Sequence, residues 1–205
     1  LETGVYGGRR LYIPYRLSWP AMVVDSEIKT DIKSWEQVYR VAKRRPGQVG
    51  IPGLDDRELC ALVCSIIYSF GGDPTKPGSP GLEKAFSFLG ELSEEVVIAS
   101  GGEKSGGISS WDEGRLPDIF FEWPEGLTRL SVQGVLAYDY DAQPLPFGPL
   151  RLCGVFFLGR FLAVPKTAVH EKDAYSFVRK MIDPSVQRRL IYTSPWLPMR
   201  SDGWG

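Results

Sequence analysis

Apolar residues along the chain recur with two periods, one near 3.6 and one near 2, and the two alternate. Trp35, Val38, Tyr39 and Ala42 fall on one stripe of a helix that Ser34 opens, with Gln37 three residues on as a capping-box partner. Pro46 and Gly47 end it. The clearest pattern is Leu59, Leu62, Val63, Ile66, Ile67 and Phe70, which predicts a helix closed by Gly71 and Gly72. Ser79 and Pro80 read as a cap and first-turn proline, with Leu82, Ala85, Phe86 and Leu89 as the buried face of the third helix. Towards the C-terminus, Ala174, Phe177, Val178 and Met181 line another helix. Asp183 and Pro184 start the next, with Val186, Leu190 and Ile191 inward.

Between these lie short apolar runs that predict strands: Leu11 to Tyr15, Ala21 to Val24, Val49 to Ile51, Asp118 to Trp123, Val132 to Tyr138 and Val155 to Pro165. The last is apolar almost throughout and includes Phe156, Phe157 and Phe161. A strand apolar on both faces expects cover on each side. Pro144, Pro146 and Pro149 mark a stiff linker, and Pro195 to Arg200 reads as a final loop. Alternation of helices and short strands predicts an α/β fold.

Composition adds exclusions. Lys and Arg number 24 against 25 Asp and Glu in 205 residues, and no basic stripe suggests nucleic acid. The run Lys43, Arg44, Arg45 closes a helix, where cations favour the dipole. No run reaches the roughly 20 apolar residues that span a bilayer. Cys60 and Cys64 sit four apart on a helix, a poor disulfide geometry, and Cys153 is alone. All three are expected as small buried apolar groups. No cysteine or histidine cluster suggests a metal, and no cofactor is expected. The chain does not begin with Met and shows no signal peptide, so its start is expected to be trimmed or missing.

Candidate chemistry is sparse. His170 is the one histidine and precedes a helix. No nucleophile elbow or metalloprotease motif is present. The glycine-rich stretch Ser100 to Gly107 contains Lys104 and Ser105 but lacks phosphate-loop spacing. Asp55-Asp56 and Asp139/Asp141 are paired acids that could serve a glycosidase, with Asp55 and Asp139 as its test residues, although aspartates at turns and helix starts are commoner. Trp19, Trp111, Trp123 and Trp196 fall in predicted loops or at strand ends. Flat aromatic faces there suit stacking on a sugar ring, with lobe-core packing as the other reading.

Several segments together resemble the extracellular solute-binding proteins of the sugar-binding type, the class of maltose-binding protein. Gly8 to Tyr15 resembles their crossing strand, and Ile32 to Val38 a "P-x-T-W-x-E-L" helix start. Phe70-Gly71-Gly72 and Glu83 to Leu92 are similar to the segments that follow. Pro144 to Gly148, then Phe161 to Lys166, resemble "P-x-P-x-G … L-A-I-P-K"; Ala174 to Gln187 and Leu197 to Arg200 complete the order. The acid of the helix-start motif falls one residue early, as Glu36, and the resemblance implies that the early part of the first lobe is absent.

The resemblance implies a periplasmic-binding-protein-like type II fold, two α/β lobes joined by crossing hinge segments near Pro14 to Trp19 and Leu145 to Arg151, with the first lobe incomplete. Residues 1–16 and 152–192 are then the remnant of the first lobe, 17–150 the second lobe, and 193–205 a closing loop and tail. It implies a small ligand, a sugar or oligosaccharide, held between lobes by hinge closure, and an ABC-importer permease as partner. Polyamine- and iron-type relatives share the same order, and a carbohydrate-active enzyme is the reading from a different class. Carried over residue by residue, the ligand positions are Ser18, Trp19, Asp55, Asp56, Trp123, Trp196 and Arg200. The location implied is extracellular or periplasmic, with a lipoprotein anchor as one arrangement. An incomplete lobe implies self-association, rearrangement, or a separate chain as cover for Val155 to Val164.

Overall fold

The computed structural model describes residues 5–6, 9–10, 13–28, 31–52, 56–98, 116–132, 134, 139–193 and 197–198. The chain divides into two compact units, one of Leu1–Ser18 with Phe157–Gly205 and one of Trp19–Phe156.

The continuous unit is built on a five-stranded sheet. Its strands are β4 (Ala21–Asp25), β5 (Val49–Ile51), β6 (Val97–Ile98), β7 (Ile119–Glu122) and β8 (Tyr140–Gln143), in the order β6-β5-β7-β4-β8. β5 runs parallel to β6 and β7, while β4 is antiparallel to β7 and β8. Side chains on a strand alternate between faces, and two separate cores follow from that. Met22, Val24, Ile119 and Phe121 enter one core with α1 (Trp35–Arg44), α2 (Asp56–Ser69) and α3 (Pro80–Ser93). Val23 and Phe120 enter the other with Leu116 and Leu130, the latter on α4 (Pro124–Val132).

Helix α1 forms as its pattern dictates. The Ser34 side chain accepts from the Gln37 backbone, and the Gln37 side chain reaches back to the Ser34 amide at 3.0 Å. Trp35 stacks on Phe121 with ring centres 5.0 Å apart. Ser79 caps α3 differently from expectation: its hydroxyl makes no cap bond and instead accepts from the Asp73 amide at 3.3 Å. On α3, Ala85 and Leu92 are buried and Phe88 and Leu89 half-buried, whereas Phe86 points outward. Phe86 was expected inside; a helix can turn only one stripe to the sheet, and Phe88 takes that place.

Two buried serines on α2 fix the segment that follows β8. Ser69 Oγ donates to the Ser65 carbonyl and accepts from the Gly154 amide at 2.9 Å. Ser65 Oγ donates to the Ala61 carbonyl and accepts from the Phe156 amide at 2.8 Å. A side chain at Gly148 would overlap the Ser69 carbonyl. These contacts hold residues through Phe156 on α2, so the break between units falls at Phe156–Phe157, later than the linker prolines suggest.

The discontinuous unit holds β1 (Val5–Tyr6) paired with β2 (Arg9–Arg10). It also has a three-stranded antiparallel sheet in the order β10-β3-β9, from β3 (Ile13–Ser18), β9 (Leu158–Leu162) and β10 (Leu197–Pro198). Helices α5 (Glu171–Met181) and α6 (Pro184–Thr193) complete it. Leu197 and Pro198, expected in a loop, pair with Leu17 and Arg16. Val178 is buried on α5, but Phe177, expected inside, is 60% exposed, and Phe157 and Phe161 are exposed as well, as is Phe156 at the end of the continuous unit. Gln187 is fully buried, donating its amide to the Met181 carbonyl at 2.7 Å.

Two further expectations are corrected. Val132 ends α4 rather than opening a strand, and residues 133 and 135–138 lie outside the described residues. Cys60 and Cys153 are exposed and Cys64 is half-buried, so the cysteines are not core groups. Cys60 sits on the outward side of α2, while Cys153 stays at the surface with its thiol donating to the Leu145 carbonyl. Burial pushes the Cys153 and Cys64 thiols up from their ordinary range, with Cys60 adding to the effect at Cys64.

Candidate functional site

Strand register in the continuous unit gathers several candidates at one end of its sheet. Ala21 pairs with Glu122 and Met22 with Gln143, so the start of β4 lies beside the ends of β7 and β8. Because β5 and β6 are parallel to β7, their carboxyl ends lie there too. Trp19 and Pro20 enter β4 at this end, Asp56 opens α2 after β5, and Trp123 follows β7. In α/β sheets the carboxyl ends of parallel strands are where ligands bind, because chain entering helices leaves a crevice there.

The candidate residues stand as follows. Trp19 is half-buried. Trp123 is 1% exposed, and its buried indole nitrogen has no hydrogen-bond partner. It was expected to stack on a ligand; in this structure it offers no open ring face. Ser18 is buried as the last residue of β3, paired with Leu158 in the discontinuous unit. Asp56 is the first residue of α2. Asp55, Trp111, Trp196, Arg200 and the glycine-rich stretch 100–107 lie outside the described residues. His170 precedes α5 and makes no side-chain cap bond.

Of the acids offered as a catalytic pair, Asp139 is described and Asp55 lies outside the described residues. Asp25 pairs with Tyr140, so Asp139 lies at the opposite end of the sheet from Asp56. Four residues of β8 separate the two ends, roughly 13 Å at about 3.3 Å per residue. Asp139 and Asp141 are both exposed. Among the described residues no group of three or more His, Cys, Asp or Glu could hold a metal ion.

Glu122 is the site residue that the sequence pattern did not single out. It is fully buried at the end of β7, and its Oε1 accepts from the Trp123 amide at 2.9 Å. A side chain at Gly126 would overlap its carboxyl group, so that carboxyl lies against the first turn of α4. The positive end of the α4 dipole therefore already faces a carboxylate of its own chain. The available signal was a lone acid closing the apolar run Ile119-Phe120-Phe121.

Comparison with solved structures places this arrangement. Maltose-bound MalE3 of T. maritima matches with a TM-score of 0.74 at 16% identity, over 97% of this chain and 56% of its own. A solute-binding protein of an ABC transporter from Thermotoga lettingae, bound to α-D-tagatose, matches with a TM-score of 0.73 at 14% identity, over 98% and 57%. UgpB from Mycobacterium tuberculosis, in complex with glycerophosphocholine, gives 0.73 at 16% identity, over 95% and 53%. This chain has the type II solute-binding-protein fold. It spans little more than half the length of these neighbours, as the 53–57% coverage states. No family model matches the sequence, and neither does any curated protein. Within the type II fold, the mixed sheet with its helices on both faces is the better-filled part of this chain. Among the described residues no helix is long and apolar enough to cross a membrane.

Proposed function

We propose that this chain is part of the solute-binding component of an ABC importer, capturing a small solute outside the cell or in the periplasm without transforming it. The observation that carries the reading is the fold match to solute-binding proteins over nearly the whole chain. A sugar or oligosaccharide is the favoured ligand. The half-buried Trp19, at the carboxyl end of the parallel strands, supplies the flat apolar surface that a sugar ring stacks on. Ser18, Asp55, Asp56, Trp196 and Arg200 are proposed to supply polar and further aromatic contacts, and Trp123 to back the site. A permease is the proposed partner. The neighbours hold maltose, α-D-tagatose and glycerophosphocholine, so ligand classes differ on one fold.

Titration calorimetry with maltose, maltodextrins, spermidine and a ferric chelate, followed by chromatography of each mixture, tests the proposal. Saturable binding of a sugar, lost about tenfold or more in Trp19→Ala and with no new product, supports it. Turnover of a sugar would establish the enzyme instead. Equal affinity in Trp19→Ala would remove that ring from the site.

A further inference from the structure

A cavity of about 450 Å³ opens within the continuous unit, away from the residues assigned to the solute. Trp35 and Tyr39 of α1, Phe70 after α2, Phe88 of α3 and Phe147 line it. Phe88 is the hub of the aromatic walls. Its ring centre lies 5.0 Å from Phe70, 6.2 Å from Tyr39 and 6.4 Å from Trp35, the last two edge to face. The volume falls inside the roughly 300–1,000 Å³ range of small-molecule sites. The cap of α1 and the pairing of Ser34 with Phe147 hold two of the walls in place.

Three charged residues line the cavity: Glu36, Arg40 and Glu91. Glu36 and Arg40 pair with each other one turn apart on α1. Among the described residues Glu91 has no hydrogen-bond or ion-pair partner, which leaves one carboxylate uncompensated. It stands three residues after Phe88 on α3, so the two share a helix face. Lys43 lies over the Tyr39 ring at 5.7 Å, so a cation already occupies one aromatic face in this region. Aromatic faces beside a free carboxylate attract an organic cation, through the ring quadrupole and through charge. An anion meets Glu91 with the same sign.

We propose that this cavity binds a small amphiphilic ammonium compound, its apolar body against Tyr39 and Phe147 and its cation beside Phe88 and Glu91. The site is independent of the solute-binding reading, because none of its lining residues was assigned to that solute.

The test uses the 205-residue chain and three probes of one size: 2-phenylethylammonium, 2-phenylethanol and phenylacetate. Binding is read by calorimetry and by Trp35 fluorescence against a Trp35→Phe control. The ammonium compound is expected to bind about tenfold more tightly than the alcohol, and phenylacetate more weakly than either. Glu91→Gln, an exposed change that leaves the core alone, should bring the ammonium compound down to the alcohol. Phe147→Ala should weaken both. Equal binding of all three probes by the wild-type chain would overturn the proposal. So would an ammonium preference that survives Glu91→Gln, or no binding at millimolar concentration.

Discussion

The two units of this chain use similar elements and bury them very differently. In the continuous unit, β4 and β7 are enclosed on both faces: Met22, Phe120, Phe121 and Ile119 are all fully buried. In the discontinuous unit, β9 and α5 leave Phe157, Phe161, Tyr175 and Phe177 exposed, and Val169 is 90% exposed. A sheet face is worth about 25 cal/mol for each Å² removed from water, so the same apolar letters stabilise one unit and leave the other wanting cover. The lesson is that apolar content does not measure a core. What matters is whether a second layer lies on each face.

Substitutions can break this contrast. The largest effect is expected from Trp35→Ala, which empties the place stacked on Phe121; the loss should be about 3–5 kcal/mol by urea denaturation. A loss under about 1 kcal/mol would mean that the two-sided core is not what stabilises the continuous unit. Gly148→Ala should follow at about 1–3 kcal/mol, because its methyl would overlap the Ser69 carbonyl. Ser69→Ala leaves the Gly154 amide without its acceptor and should cost about 1–2 kcal/mol, with faster amide exchange at Gly154 as the local sign.

In the discontinuous unit the sign should differ. Phe177→Ser is expected to change stability by less than about 0.5 kcal/mol while reducing binding of a hydrophobic dye. A loss of several kcal/mol would show that Phe177 is covered in solution.

The smallest effect concerns acid. Hydrogen bonds from the Thr75 hydroxyl and amide, then from Lys76, lower the Asp73 carboxyl from 3.8 to about 2. A depressed folded value means that its contribution is present above the unfolded value near pH 4 and is lost as pH falls towards 2. The Asp73 side chain is only half-buried, so solvent keeps the effect slight. Asp73→Asn should lower stability slightly at neutral pH and flatten the acid limb between about pH 4 and 2, so that the two proteins converge in acid. Asp183, lowered by Ser185, should act likewise in the other unit.

Much of the continuous unit was legible in the chain. The capping box at Ser34 and Gln37, the apolar stripe of α2 and its closing glycines are local signals, and local signals survive folding. Helix α4 was not legible. Trp123-Pro124 reads as a strand end, and the proline that ends β7 also pre-sets the first turn of a helix. β10 was missed because a two-residue strand has no period; pairing with β3 alone creates it. At the candidate site, Trp19 and Asp56 were named from residue type and the family resemblance, but that they lie at one sheet end is a property of register. Glu122 escaped notice because a single acid carries no pattern, and its place against α4 depends on Gly126 leaving room.

The order in which the strands leave the ribosome follows from the division of the chain. β3 is made before its neighbours β9 and β10, which come after the whole of Trp19–Phe156 has been synthesised. At about 5–20 residues per second that wait is on the order of ten seconds. The continuous unit can close during that interval, while β3 waits on the nascent chain without β9 and β10. A strand with late partners is the segment a holding chaperone should grip, and the point at which synthesis of this chain is most open to misassembly.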